Sequence, residues 1–257
     1  MAAAKVRGVV RRPMTILYLF AHFDDEYAAL PLLMARAREG VEQRLVYVAD
    51  YASPALAARR FDETRRLLER IGVPPEAARH AGRGAGVMDG ALHRSLADTW
   101  AVIREAAEGQ AIERLVVAAW EGGHPDHDSL AGLAVRLAEG VGGAPIDQVS
   151  LYNGRGLPGR LFRGGSPLPE NGPVTKVPLT RAEWALYAGA VGCFPSQWRT
   201  WAGLWPAMFA SFALAGYGYQ QLAPGRVSER PHAGPLLYER MYKVPYAEVR
   251  GALDALG

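Results

Sequence analysis

The chain has 257 residues, 49% of them hydrophobic and 21% charged, with a formal net charge of +3 and a single cysteine. That composition excludes a disordered chain, a collagen-like repeat and a coiled-coil rod, and the length gives one large domain room for its own core. A lone cysteine excludes an intrachain disulfide and a Cys-rich zinc module, so a bound metal has to be held by His, Asp and Glu.

Residues 1–12 carry Lys5, Arg7, Arg11 and Arg12 with no apolar run before the first strand-like stretch. No secretory signal is expected there, and a cytoplasmic protein is. Residues 14–21 form a short apolar run of strand formers and read as a buried parallel strand. A helix is expected over 25–39, with Leu30, Leu33, Met34 and Ala37 on one face and Gly40 as its stop. A second strand follows at 43–49, then an amphipathic helix at 55–71 closed by Gly72 and the Pro74-Pro75 pair. Residues 91–108 read as a third helix, 114–120 as another buried strand and 126–139 as another helix. Strands and helices alternating at these lengths predict an α/β fold with a Rossmann-like, mostly parallel sheet and helices on both faces.

Beyond Gly140 the pattern loosens into an irregular C-terminal third. Residues 148–152 read as a strand, 154–173 as a Gly/Pro-rich loop, and Thr180-Arg181-Ala182-Glu183 as a capping box that starts a helix at Arg181. No charge occurs between Arg199 and Arg226, a length that could span a bilayer. Gly203, Pro206, Gly216 and Gly218 interrupt it and no basic cluster flanks it, so a buried helix followed by a loop is expected, not a membrane segment. Of the 29 basic residues only Lys5, Lys176 and Lys243 are lysines. The arginines are scattered and mixed with acids, as in residues 59–66, which argues against a nucleic-acid partner.

The chemistry sits after two of the predicted strands. Ala21-His22-Phe23-Asp24-Asp25-Glu26 follows the first, and Gly122-Gly123-His124-Pro125-Asp126-His127 follows the strand ending at Trp120. In a parallel sheet these loops share the carboxyl edge, where ligands bind. Asp25 and Asp126 could each be a helix N-cap and nothing more. Two loops that both mix His with Asp, and that hold three of the six histidines, point to a functional centre. Imidazole and carboxylate donors without thiolate suit zinc, or iron, cobalt or nickel. Three ligands with one open position would activate a water, a spare carboxylate would serve as base, and a second histidine would stabilise an oxyanion or protonate a leaving amine.

The first loop resembles the Ala-His-Pro-Asp-Asp-Glu signature of the LmbE-like, or PIG-L, zinc-dependent N-deacetylases, and His124-Pro125-Asp126-His127 matches that family's His-Pro-Asp-His. Weaker matches are Arg60 and Glu63, Asp89-Gly90 and Ser196-Gln197; the likeness is firm over residues 14–139 and faint beyond. It implies His22, Asp25 and His127 as zinc ligands, Asp24 as general base, His124 as oxyanion stabiliser or general acid, and Asp126 as the residue that orients a histidine. Glu26 would hold the loop, and Arg60 and Asp89 match sugar-contacting positions. Two departures stand out: Phe23 replaces a proline, and Gly122 occupies a place where some members carry a catalytic tyrosine. Tyr27, Tyr51 or His232 could supply such a group, but each is expected to be structural or peripheral; His232, in a polar, Gly/Pro-flanked loop, is the most interesting and a candidate for substrate contact. His80 and His93 are expected at the surface or on a helix.

The resemblance implies removal of the N-acetyl group from an N-acetylated amino sugar or its conjugate, a small-molecule substrate. Two other readings are a zinc amidase that cleaves a larger acyl group and a non-catalytic sugar-binding protein. Residues 1–257 are expected to form a single domain, with 13–140 carrying the metal and 141–257 shaping the substrate site. The aromatic residues Trp184, Trp198, Trp201, Trp205, Phe209 and Phe212, at helical spacing, are expected to be core rather than a substrate wall.

Overall fold

A computed structural model describes residues 15–256. Met14 and the basic N-terminal stretch lie outside the described residues. In chain order the elements begin with β1 (Thr15–Phe20), α1 (Glu26–Arg38), β2 (Glu42–Tyr47), α2 (Pro54–Arg70), β3 (Ala78–His80), α3 (Leu96–Ala107), β4 (Ile112–Ala118), α4 (Pro125–Gly140) and β5 (Ile146–Val149). They continue with β6 (Tyr152–Asn153), β7 (Arg163–Gly164), β8 (Val174–Lys176), α5 (Arg181–Ala190), α6 (Trp198–Ala215), β9 (Gly218–Gln221), α7 (Leu237–Met241) and α8 (Tyr246–Ala255).

The main sheet has seven strands in the order β3-β2-β1-β4-β5-β9-β8. The first five run parallel, and β9 and β8 add antiparallel at one edge. Every residue of β1 is buried, and its side chains alternate between two cores. Ile16, Tyr18 and Phe20 join residues of α1, α2, α5 and α6, whereas Leu17 and Leu19 join residues of α3 and α4. The expected α/β sheet covered on both faces is therefore present. Helix α1 is buried over ten consecutive residues, Glu26 to Ala35, because the C-terminal helices cover the side that would otherwise meet water.

Most predicted elements recur with ends shifted by a residue or two. The expected helix over 91–108 is divided: a 3-10 turn at Leu92–Arg94 precedes α3, with Ser95 between them. The strand expected at 148–152 falls earlier, at β5, and 152–153 pair instead with β7. The capping box at Thr180 is formed, with Glu183 N–H donating to Thr180 Oγ1 at 3.2 Å. The uncharged stretch is helix α6 followed by β9, and among the described residues no helix is long and apolar enough to cross a membrane. Trp201 and Phe212 are core residues and Trp184, Trp205 and Phe209 pack against that core, while Trp198 is exposed. His93, expected at the surface or on a helix, is buried on the 3-10 turn, with Nε2 3.2 Å from Glu248 Oε1.

The strand order reverses direction between β1 and β4. Chain leaves β1 through α1 toward β2, whereas β4 pairs on the other side of β1. The loops after these two strands therefore open into one crevice at the carboxyl edge, the standard ligand position in such sheets.

Candidate metal centre

The loop after β1 is stiff. Asp24 has φ +107°, unusual for any residue with a side chain, and such strain persists only where the surroundings fix it. Its N–H donates to Glu26 Oε2 at 2.9 Å, and Glu26 Oε1 accepts from Thr64 Oγ1 at 2.7 Å, so a buried carboxyl ties the loop to α2. Burial pushes the Glu26 carboxyl up to about 7 against the hydrogen bond from Thr64. Phe23 lies flat on Tyr51, with centroids 5.5 Å apart, and edge-on to His80. Its N–H donates to Tyr51 Oη at 3.2 Å, a bond that a proline could not make.

Two imidazoles and one carboxylate converge. His127 Nε2 is 3.0 Å from Asp25 Oδ1 and 3.3 Å from His22 Nδ1, and His22 Nδ1 is 3.6 Å from the other oxygen, Asp25 Oδ2. Ring nitrogens of His22, His124 and His127 also lie within 4.8 Å of one another, as do ligand atoms of His22, Asp89, His124 and Asp126. Tetrahedral bonds of about 2.0–2.1 Å separate neighbouring ligand atoms by about 3.3 Å, so the cluster has the spacing that a single transition-metal ion requires. Asp25 does not cap α1: its Oδ2 accepts from His22 N–H at 2.9 Å, and its carboxylate faces the two imidazoles. Burial would raise the Asp25 carboxyl, but the charges and hydrogen bonds of His127 and His22 hold it well below the usual range. Burial, with Asp25 and Glu26 nearby, pushes the Asp24 carboxyl well up, while His22 and Arg60 pull the other way.

The other ring nitrogen of His22 faces two carboxylates, 3.0 Å from Asp126 Oδ2 and 3.2 Å from Asp89 Oδ1. Asp126 also accepts from Gly90 N–H at 2.6 Å and Leu92 N–H at 3.0 Å, so it ties His22 to the turn before α3. Burial would raise Asp126, yet the His22 hydrogen bond and the charges of His124 and His22 bring it down to about 2. A ligand imidazole held through its second nitrogen by a carboxylate is the arrangement that orients metal-binding histidines. His124 is the N-cap of α4, its Nδ1 accepting from Asp126 N–H at 3.2 Å. That bond leaves the ring proton on Nε2, and burial lowers the imidazole to about 3, so His124 is a neutral donor.

The structure thus gathers His22, Asp24, Asp25, His124, Asp126 and His127, with Asp89 beside them. Arg60 stands nearby with its guanidinium 5.2 Å from the Tyr51 ring centre. His232 is placed differently: its Nδ1 meets the carbonyl of Ala233, and the charges acting on it are Glu170, Arg230 and Arg155, none of which belongs to the cluster. Tyr27 is committed to the core through its hydroxyl, which donates to the Tyr187 carbonyl at 2.7 Å. The aromatic rings that do reach the site are Tyr242, 4.8 Å from the His124 ring, and Tyr152, 5.9 Å from His127. Neither carries a local signal, since both arrive through contacts far along the chain.

The weak matches at Glu63 and Ser196-Gln197 meet in space. Buried Glu63 accepts from Ser196 N–H at 3.0 Å and Ser196 Oγ at 2.6 Å, and Gln197 Nε2 donates to the Phe23 carbonyl at 2.9 Å. Glu63→Ala strands both Ser196 donors and is expected to destabilise the protein by about 2–3 kcal/mol, read from the midpoint of chemical denaturation. An unchanged midpoint would show that this latch carries no load.

Residues 17–138 match the family model PIG-L, described as GlcNAc-PI de-N-acetylase. No curated protein sequence matches the chain. Among solved structures, a deacetylase triple mutant of the teicoplanin biosynthetic pathway aligns with TM-score 0.61 at 18% identity, over 81% of this chain and 97% of that one. The zinc-inhibited form of teicoplanin deacetylase aligns with TM-score 0.59 at 18% identity, again over 81% and 97%. The A40926 pseudoaglycone deacetylase gives 0.58 at 18% identity, over 82% and 97%. At this identity the structural likeness establishes the fold.

Proposed function

We propose, from the match of residues 17–138 to the PIG-L family model, that the protein is a metal-dependent hydrolase that removes the N-acetyl group from an N-acetylated amino sugar or its conjugate. The observation that carries the reading is the triangle of His22 Nδ1, an Asp25 carboxylate oxygen and His127 Nε2, with Asp24 and His124 beside it. The donor set, two imidazoles and one carboxylate, suits zinc. A bound zinc supplies a water activated at neutral pH and a Lewis-acid contact for a carbonyl oxygen.

The chain's own groups do the rest. Asp24 takes the proton of the attacking water; burial, with Asp25 and Glu26 nearby, raises its carboxyl and so favours proton uptake. His124 Nε2–H donates to the carbonyl oxygen as negative charge gathers there. Asp126 holds His22 in orientation. Arg60 and Asp89, at the edge of the cluster, would contact sugar hydroxyls. Asp24 then passes that proton to the departing nitrogen as the C–N bond breaks, so that amine and acetic acid leave, as ammonium and acetate at neutral pH. The description of the matching family model as a GlcNAc-PI de-N-acetylase supports an amino-sugar amide as substrate, and neighbours of the same fold are named as deacetylases. Residues 141–257, from which Tyr152 and Tyr242 reach the cluster, would set substrate preference.

A panel of N-acetylated amino sugars and their conjugates, assayed for acetate and free amine with and without a chelator, tests the proposal. Acetate release that the chelator stops and one equivalent of zinc restores is the expected result. Full turnover in chelator would refute the metal mechanism. Zinc binding with no turnover on any acetyl or longer acyl amide would leave a binding protein on this scaffold.

A further inference from the structure

Two phenols stand at the mouth of the site with no part in the reaction described above. Tyr242 follows the last turn of α7 and is 45% exposed, yet its ring meets His124 edge-to-face at 4.8 Å. The ring of Tyr152 lies 5.9 Å from that of His127. Both phenols therefore stand against the histidines of the cluster.

Their placement is built by the fold. Gly122 has φ +71°, and a Cβ on it would lie 2.7 Å from Leu236 Cδ2. Leu237 N–H donates to the Gly122 carbonyl at 2.9 Å. Residues 236–242 thus lie directly on the loop after β4, in the space where that loop has no side chain of its own. Arg240 ties this segment to the carbonyls of Leu157 and Gly154, and Glu239 accepts from Leu236 N–H at 2.7 Å and Tyr246 N–H at 3.0 Å. Tyr152 is held from the other side. Its N–H donates to buried Glu121 at 2.8 Å, and Glu121 also accepts from Leu151 N–H and Ser150 Oγ. A half-exposed aromatic on a well-tied turn, set over the histidine that meets the reacting group, is poorly explained by packing alone.

Resting on the hydrolase reading above, we propose that Tyr242 is a further catalytic residue. Its hydroxyl donates a hydrogen bond to the acyl carbonyl oxygen as that oxygen gains negative charge, beside His124, and Tyr152 is its positioning residue. No proton changes hands in this role; the phenol stays neutral and the bond strengthens as charge develops. Substrate in the mouth removes the water that the exposed hydroxyl otherwise meets, which makes the bond worth more in the transition state than in the free protein.

The test is Tyr242→Phe in the full-length, metal-loaded protein, which keeps the ring against His124 and removes only the hydroxyl. With an N-acetylglucosamine glycoside as substrate, kcat is expected to fall roughly 10- to 100-fold, below the effect of a fully buried oxyanion donor. KM should change less than about twofold, which would mark the bond as one made in the transition state. Metal content should be unchanged, and affinity for a methylphosphonamidate analogue of the amide should fall by the same factor as kcat/KM. Tyr152→Phe should lower kcat by a smaller factor in the same direction. A Tyr242→Phe enzyme with wild-type kcat overturns the assignment while leaving the hydrolase reading intact. A loss confined to KM overturns it in favour of a sugar-stacking or binding role. A wild-type protein that releases no amine from any N-acylated amino sugar overturns both.

Discussion

Asp24→Asn is expected to keep its metal and lose hydrolysis by about 10²–10⁴-fold, the range for removal of a general base. Asparagine has the shape of aspartate and is among the side chains that tolerate positive φ, so the +107° backbone at this position should survive the exchange. The Asp24 N–H bond to Glu26 is a backbone bond and is untouched. What disappears is the only group in the loop that is both a carboxylate and not committed elsewhere: Asp25 faces two imidazoles, and Glu26 is engaged by Asp24 N–H and Thr64. The measurement is kcat at saturating substrate together with metal content by mass spectrometry. A variant with wild-type kcat would move the base to another residue, and a variant without metal would make Asp24 a ligand.

His127→Ala is expected to abolish both metal binding and turnover. His127 Nε2 is one corner of the proposed ligand set, 3.3 Å from His22 Nδ1 and 3.0 Å from Asp25 Oδ1. The loss has a readout that does not depend on catalysis. A ligand that binds only the folded protein adds about 2.7 kcal/mol of stability at one hundred times its Kd. In a chain of this size that corresponds to a rise in Tm of roughly 5–10 °C. Wild-type protein should show such a zinc-dependent rise, and His127→Ala should show almost none. A variant that keeps the full shift would remove His127 from the ligand set. Asp126→Asn should act more mildly, lowering metal affinity by about 10- to 100-fold, because it orients His22 without being one of the three convergent ligands.

The two His/Asp loops are legible in the sequence because each follows a buried strand and each combines His with Asp within six residues. The strands themselves are apolar runs whose meaning is local. The short strands are a different case. β3, β8 and β9 have three or four residues each, β8 is exposed throughout, and β9 contains two glutamines. Such segments have no periodicity long enough to register, and only pairing with a neighbour makes them strands. The division of the helix expected over 91–108 has a similar origin. Leu92 N–H is drawn to Asp126 Oδ1, a partner 34 residues away that no local window contains.

Substitution sites followed the same rule. Phe23 was visible as a departure from proline, but its use, an N–H given to Tyr51, depends on a residue in another loop. Gly122 is legible as a missing side chain, and the candidates for its place, Tyr27, Tyr51 and His232, read as structural or peripheral in sequence. Tyr27 serves the core and His232 serves its own turn. The rings that reach the cluster come from residues 152 and 242, in the part of the chain with the weakest patterning.

By itself the sequence determined the sheet, the side of the sheet that carries chemistry and the donor types available for a metal. All three follow from local order: apolar runs of strand length, and His/Asp clusters directly after them. Only the tertiary structure decided which nitrogen of His22 faces the ligands and which faces Asp126, that His124 caps α4 and keeps its proton on Nε2, and that Tyr152 and Tyr242 stand over the site. Those choices depend on which distant segments meet. Such meetings are set by packing the C-terminal third onto the crevice between β1 and β4, where no spacing along the chain records the contact.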